Sequence, residues 1–188
     1  MADGRYGPAP PPGLATLSEH LAESLAHDVA AHEGAVLTVR FNSQGTYCLS
    51  GGKDHLVKLW NPHKGLLIKT YAGHAQDVRD ADVRSDNSQF ASCGGDRSVL
   101  TWDVSTAKVL RRLRGHDGPV NAVRFAGPEG AVLASAGYDR AVCVWDCRSR
   151  AEAPAQRMLD ARDSVASLEI ARDRPEILAA GVDGSLRR

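Results

Sequence analysis

The 188-residue chain has few aromatic residues, no excess charge and no long apolar run. Phe, Trp and Tyr make up 5% of it, so we expect a core built mainly from Val, Leu, Ile and Ala. Lys and Arg number 23, as do Asp and Glu, and this balance gives no general attraction to nucleic acid or to an anionic membrane. No apolar stretch approaches the roughly 18 residues of a membrane helix. These absences favour a soluble globular protein.

The four cysteines lack the C-x-x-C spacing of a zinc ribbon. Cys48, Cys93 and Cys143 lie in apolar, strand-like runs, where a free cysteine packs as a small hydrophobic residue. Cys143 and Cys147 lie in a strand and at its exit, which favours core packing over metal binding. Free cysteines are typical of a reducing compartment, and residues 1–12 lack the layout of a signal peptide. We therefore predict an intracellular protein without a metal site.

The chain does contain a regular repeat of tryptophan and polar residues. Trp60, Trp102 and Trp145 are 42 and 43 residues apart, and each follows an aspartate by six residues and a serine by ten. A histidine precedes each group. The three sets are His32/Ser50/Asp54/Trp60, His74/Ser92/Asp96/Trp102 and His116/Ser135/Asp139/Trp145. A fourth copy has Asp183 at the aspartate position but Ala179 at the serine position and Asp160-Ala161 in place of Gly-His.

Each repeat contains four short β-rich runs that are separated by turn residues. In the first repeat, the runs are Ala35–Phe41, Tyr47–Gly51, Leu56–Trp60 and Leu66–Tyr71. The third repeat shows the same pattern. Four strands per unit is the content of one propeller blade, so the sequence predicts an all-β protein with one blade per repeat.

A period of 40–45 residues with Gly-His near the start and Trp-Asp near the end resembles the WD-repeat family. The resemblance implies a WD40 β-propeller with three complete blades and part of a fourth, an open arc rather than a closed ring. We assign the repeats to residues 25–188, at about 32–73, 74–115, 116–159 and 160–188. A four-bladed ring is the alternative.

The resemblance also implies that each His/Ser/Asp/Trp set is a hydrogen-bonded tetrad. A buried carboxylate must be hydrogen-bonded, because an unpartnered one costs several kcal/mol. Ser, His and Asp together also permit a hydrolase interpretation. We favour a structural role, because an active site has no reason to recur three times in phase and the chain lacks a G-x-S-x-G elbow.

Two further segments carry expectations of their own. Residues 1–24 are predicted to be a Pro- and Ala-rich tail, flexible or a short helix, with a helix favoured over 14–22 and a strand over 25–30. The basic run from Lys108 to Arg114 is predicted to be an exposed outer strand protected by its charges. Nucleic-acid binding through this run is the disfavoured alternative.

Function is predicted to come from protein binding, without catalysis or a cofactor. Segments that start at Tyr47, Trp145 and Leu159 resemble a family member that organizes kinases of the mitogen-activated cascade and associates with the spliceosome. The resemblance implies a scaffold of the cytoplasm and nucleus. Another WD adaptor, such as a ubiquitin-ligase substrate receptor or a ribosome-assembly factor, is the alternative. We expect no nucleic acid, membrane or small-molecule partner. The candidate partner-binding residues are Gln76, Asp77, Arg79, Asn121 and Tyr138.

Overall fold

The computed structural model describes residues 26–127, 130–171 and 176–188. These residues form antiparallel sheets, each built from strands that are consecutive in the chain. Within the described ranges, no helix has the length and apolar character needed to cross a membrane. The predicted all-β architecture is therefore confirmed.

The first blade is a four-stranded sheet in the order β1-β2-β3-β4. Its strands are β1 (Val36–Phe41), β2 (Cys48–Gly52), β3 (Leu56–Asn61) and β4 (Leu66–Ala72). Asn42 closes the first turn, since its Oδ1 accepts the backbone N–H groups of Thr46 and Tyr47 at 2.9 and 3.1 Å. The sequence therefore encodes this hairpin locally.

The second and third blades repeat the same order. The second contains β5 (Val78–Val83), β6 (Gln89–Gly94), β7 (Ser98–Asp103) and β8 (Val109–Arg114). The third contains β9 (Val120–Ala126), β10 (Val132–Gly137), β11 (Val142–Asp146) and β12 (Gln156–Met158). The fourth sheet has three described strands, β13 (Val165–Ile170), β14 (Ile177–Gly181) and β15 (Leu186–Arg187).

The core lies between neighbouring blades. Tyr71 of the first blade packs against Phe90 and Trp102 of the second, and Trp145 of the third packs against Leu113 of the second. A third cluster joins the third blade to Val165 and Leu168 of the fourth. Each blade is therefore stabilised by its neighbour, because one blade alone cannot cover its apolar faces.

The inner strands contact one another in the order β1, β5, β9 and β13. Within the described residues this series does not close into a ring, so the open arc is confirmed and the four-bladed ring is wrong. Val39 and Phe41 of β1 are 63% and 57% exposed, as expected for an uncovered blade face.

Two expectations need correction. Residues 26–30 form no strand; instead the His27 ring donates from Nε2 to the carbonyl of His63 at 3.0 Å. The predicted helix over 14–22 lies outside the described residues.

The basic run does form an outer strand, β8, but its charges are not merely solvated. Arg111 and Arg112 are half-buried and donate to backbone carbonyls of other segments, including those of Asp146 and Gly73. The predicted packing of Cys48, Cys93 and Cys143 is confirmed, since all three are buried.

Candidate interaction surface

The candidate interaction surface is the rim where two kinds of connection between strands meet. One is the turn between the second and third strands of each blade, which carries the aspartate of the repeat (the Asp turn). The other is the connection that enters the next inner strand and carries the histidine (the His loop). Both lie on the same side of the sheets because alternate strand connections reach the same edge. We call this edge the tetrad rim.

Each Asp turn is fixed by the aspartate and by the residue that follows it. In every blade the aspartate Oδ1 accepts the backbone N–H two residues later at 3.1 to 3.3 Å. The residue between them has a left-handed backbone. These residues are His55 (φ 68°), Arg97 (φ 63°), Arg140 (φ 66°) and Gly184 (φ 75°). The turn carboxylate therefore stabilises a backbone conformation that residues other than glycine rarely adopt.

The four side chains of each predicted tetrad lie together. In the second blade, His74 Nδ1 lies 3.0 Å from Asp96, His74 Nε2 lies 2.8 Å from Ser92 Oγ, and Trp102 Nε1 donates to the same Oγ at 2.8 Å. The corresponding shortest distances in the first and third blades are 2.7 to 2.9 Å. A neutral histidine that donates from Nδ1 and accepts from the serine hydroxyl satisfies every member.

This geometry opposes the hydrolase interpretation. Ser92 and Ser135 are 0% exposed and Ser50 is 5% exposed, and each Oγ is also occupied by an indole N–H. A nucleophile must reach its substrate, which a hydroxyl in this position cannot do. The three sets are structural.

The carboxylates of the tetrads are held in their ionised form. Burial alone raises the pKa of Asp96 and Asp139, but hydrogen bonds from His74 and His116 and from backbone N–H groups outweigh it. The pKa of both carboxyls therefore lies well below the usual range. As ionised groups, they accept the hydrogen bonds that fix the Asp turn and the His loop.

The fourth blade keeps only part of this arrangement. Ala161 and Ala179 stand where a tetrad has histidine and serine, yet Asp183 still accepts the backbone N–H of Arg162 at 3.2 Å. The same bond joins the His loop to the Asp turn in the other blades, at 2.9 to 3.2 Å. The aspartate is thus retained for the loop contact even where its other partners are lost.

Three of the predicted partner-binding residues form a chain across the inner strands. Arg79 donates to Asp77 Oδ2 at 2.9 Å and to Asn121 Oδ1 at 2.8 Å, and Asn121 donates to the carbonyl of Val165 at 2.9 Å. Arg79 and Asn121 are the extra residues of β-bulges at the start of β5 and β9. They therefore join three blades, a role that the sequence alone did not indicate.

The other two predicted residues remain open to solvent. Tyr138 is 65% exposed in the turn beside Asp139, and Gln76 is exposed in the His loop of the second blade. Their part in partner binding stays a prediction.

Sequence reasoning also missed a polar cluster between the inner strands. Asp80, which is 6% exposed, accepts from Thr38 of the first blade at 3.1 Å and pairs with Arg124 of the third. Burial raises the pKa of the neighbouring Asp82, although Phe125 N–H donates to it. The available signal was the pair of aspartates in β5, which alternate with Ala81 and Val83.

Antiparallel four-stranded sheets that repeat in sequence, each with a His/Ser/Asp/Trp tetrad, define the class of WD40 β-propellers. The family model described as "WD domain, G-beta repeat" matches residues 23–61, 65–103 and 107–146. The chain therefore belongs to the WD40 repeat family.

Among its relatives are proteins described as WD repeat domain-containing protein 83. The chain is 45% identical to the Xenopus tropicalis protein over 96% of its own length and 55% of the relative's. It is 48% identical to the Rattus norvegicus protein over 83% of its own length and 49% of the relative's. The chain thus spans about half the length of these curated relatives.

One solved structure shares the arrangement of the strands. The crystal structure of the WD40 β-propeller domain of Doa1 is 28% identical and superimposes with a TM-score of 0.73. The match covers 84% of this chain and 51% of that chain. WD40 propellers of this kind generally serve as protein-interaction modules rather than as enzymes.

Proposed function

We propose that this chain is a non-enzymatic scaffold that gathers proteins on its tetrad rim. The observation that carries the proposal is the fixed rim itself, where the carboxylate of each Asp turn holds the neighbouring His loop through a backbone hydrogen bond in all four described sheets. A surface that is ordered before binding loses little conformational entropy when a partner docks. Exposed Tyr138 lies on this rim, and tyrosine is among the residue types enriched in binding hot spots.

We further propose that the partners belong to a mitogen-activated protein kinase module or to a spliceosomal complex, in the cytoplasm and nucleus. The support is the resemblance of the segments that start at Tyr47, Trp145 and Leu159, together with the similarity to WD repeat domain-containing protein 83. Another kind of WD adaptor is the second candidate, because the chain is also 31% identical over 134 residues to autophagy-related protein 16 of Arabidopsis thaliana.

Affinity purification with quantitative mass spectrometry tests both the docking rim and the class of partners. The tagged chain is compared with a variant that carries Gln76→Ala and Tyr138→Ala, since both side chains are exposed. We expect kinases of the cascade or spliceosomal proteins to be enriched with the original chain and reduced at least about fivefold with the variant, the effect of about 1 kcal/mol.

The matched control is Tyr47→Ala, an exposed tyrosine in the turn between β1 and β2, on the opposite rim. Equal loss with both variants would contradict docking on the tetrad rim. Enrichment of ubiquitin-ligase, ribosome-assembly or autophagy proteins instead of the expected groups would favour the second candidate.

A further inference from the structure

Beside each Asp turn, one basic residue lies on either the third or the outer strand of the blade. It occupies one of a pair of positions, the third-strand residue four positions after the aspartate and its partner on the outer strand. In the first three blades these pairs are Lys58 with Thr70, Leu100 with Arg112, and Cys143 with Arg157. The basic member lies on the third strand in the first blade and on the outer strand in the next two.

In every blade this basic side chain reaches the aspartate of the turn. Lys58 Nζ lies 3.9 Å from Asp54, and Arg112 Nη1 lies 3.6 Å from Asp96. Arg157 Nη2 donates to Asp139 at 3.1 Å. Two different strands thus deliver a cation to the same place.

The fourth blade follows the rule although its tetrad is degenerate. Arg187 stands four residues after Asp183, as Lys58 does after Asp54, and donates to that carboxylate at 2.6 Å. Ala161 and Ala179 have replaced histidine and serine. The fourth blade therefore contains the cation and the aspartate without the tetrad histidine and serine.

The same side chains also reach the His loop. Lys58 Nζ donates to the carbonyl of Ala31 at 2.7 Å, and Arg112 Nη2 donates to the carbonyl of Gly73 at 2.8 Å. Ala31 and Gly73 are the residues directly before the tetrad histidines. In the third blade, Arg157 instead pairs with Asp117, directly after the histidine, at 2.6 Å.

We propose that this basic residue is a positioning residue that clamps the His loop to the Asp turn in the first three blades, and that either strand of the pair can supply it. A generic surface ion pair would be exposed and would contribute little. Here the basic side chains are only 16% to 35% exposed, and in the first three blades the cation joins two different rim connections. The clamp supports the proposed docking rim, but its test measures the rim directly and needs no partner.

The first blade allows the cation to be moved between strands. Lys58→Leu removes it and leaves the residue type that the second blade carries at this position, Leu100. Adding Thr70→Arg recreates the arrangement of the second blade, because Thr70 is exposed and pairs with position 58. Lys53→Leu is the matched control, since it removes an exposed lysine next to Asp54 without touching the pair.

The measurement is amide hydrogen exchange of Glu33 by NMR, because this N–H donates to Asp54 at 3.2 Å across the two connections. We expect K58L to speed this exchange roughly three- to tenfold, and both K58L/T70R and K53L to stay within about twofold of the original chain. The Trp60 indole N–H signal reports that the tetrad is intact, because Trp60 donates to Ser50 Oγ.

Three results would overturn the clamp. K58L could exchange at the original rate, K58L/T70R could exchange as fast as K58L, or K53L could match K58L. If K58L does not fold, recovery of folded protein by T70R supports the proposal, and failure to recover overturns it. None of these results depends on partner binding, so the proposed scaffold function can fail while the clamp stands, and the reverse.

Discussion

Replacement of Ser92 by alanine is the sharpest test of the tetrads. Ser92 Oγ is fully buried in the second blade, which has a described blade on either side. The substitution removes one oxygen and changes little volume. It leaves both the Trp102 indole N–H and His74 Nε2 without the partner that each holds at 2.8 Å.

The expected loss follows from these two orphaned groups. Each buried polar group without a partner costs about 1–3 kcal/mol, so Ser92→Ala should lower the free energy of unfolding by about 2–6 kcal/mol. Ser88→Ala is the matched control, because Ser88 is exposed and its hydroxyl donates only to the nearby Asp86. The control should change the free energy by less than about 0.5 kcal/mol.

Urea unfolding at pH 7, followed by far-ultraviolet circular dichroism, gives both numbers. The midpoint should fall while the slope against urea stays constant, since the surface exposed on unfolding does not change. A loss for Ser92→Ala no larger than that for Ser88→Ala would refute the argument, because the serine would then not be required by its buried neighbours.

Three other outcomes are expected. Asp80→Ala should cost about 3–5 kcal/mol in urea unfolding, because it removes the buried carboxylate beside the half-buried Arg124 and leaves that cation, among the described residues, only the exposed Glu169 at 3.8 Å as an ion-pair partner; a loss below about 1 kcal/mol would contradict this. Trp102→Ala should cost about 3–5 kcal/mol, because the indole is fully buried; a loss below about 1 kcal/mol would argue against its place in the core. The folded-state pKa of Asp96 and of Asp139 lies below the unfolded value of about 3.9, so the unfolded chain binds more protons as pH falls. The stability that these two carboxylates contribute should therefore be constant above about pH 5 and should fall below about pH 4, by up to about 1.4 kcal/mol per pH unit for each carboxylate, as measured by urea midpoints from pH 6 to 3.

The strands and the tetrads were predictable because their signals are local or strictly periodic. Alternating apolar residues and turn residues such as Asn42 specify hairpins, and hairpins pair strands that are neighbours in the chain. The family resemblance then indicated that His74, Ser92, Asp96 and Trp102 form one set, as the structure has them.

The functions of other polar residues were not predictable, because they depend on contacts between blades. The sequence indicated Arg79 and Asn121 only as candidate partner-binding residues, yet bulges place them in a chain that joins three blades. The two possible strands for each clamping cation could be recognised only after the cross-strand register was known.

The sequence by itself determined the repeat, the hairpins and the chemistry of each tetrad, since a fixed period and short turns define them. Only the tertiary structure decided which blade faces are covered, which charges meet across blades and whether 26–30 pairs as a strand. The physical reason is that the burial of a residue and the pairing of a strand depend on which element packs against them. The pattern of one repeat does not indicate which element packs against that repeat.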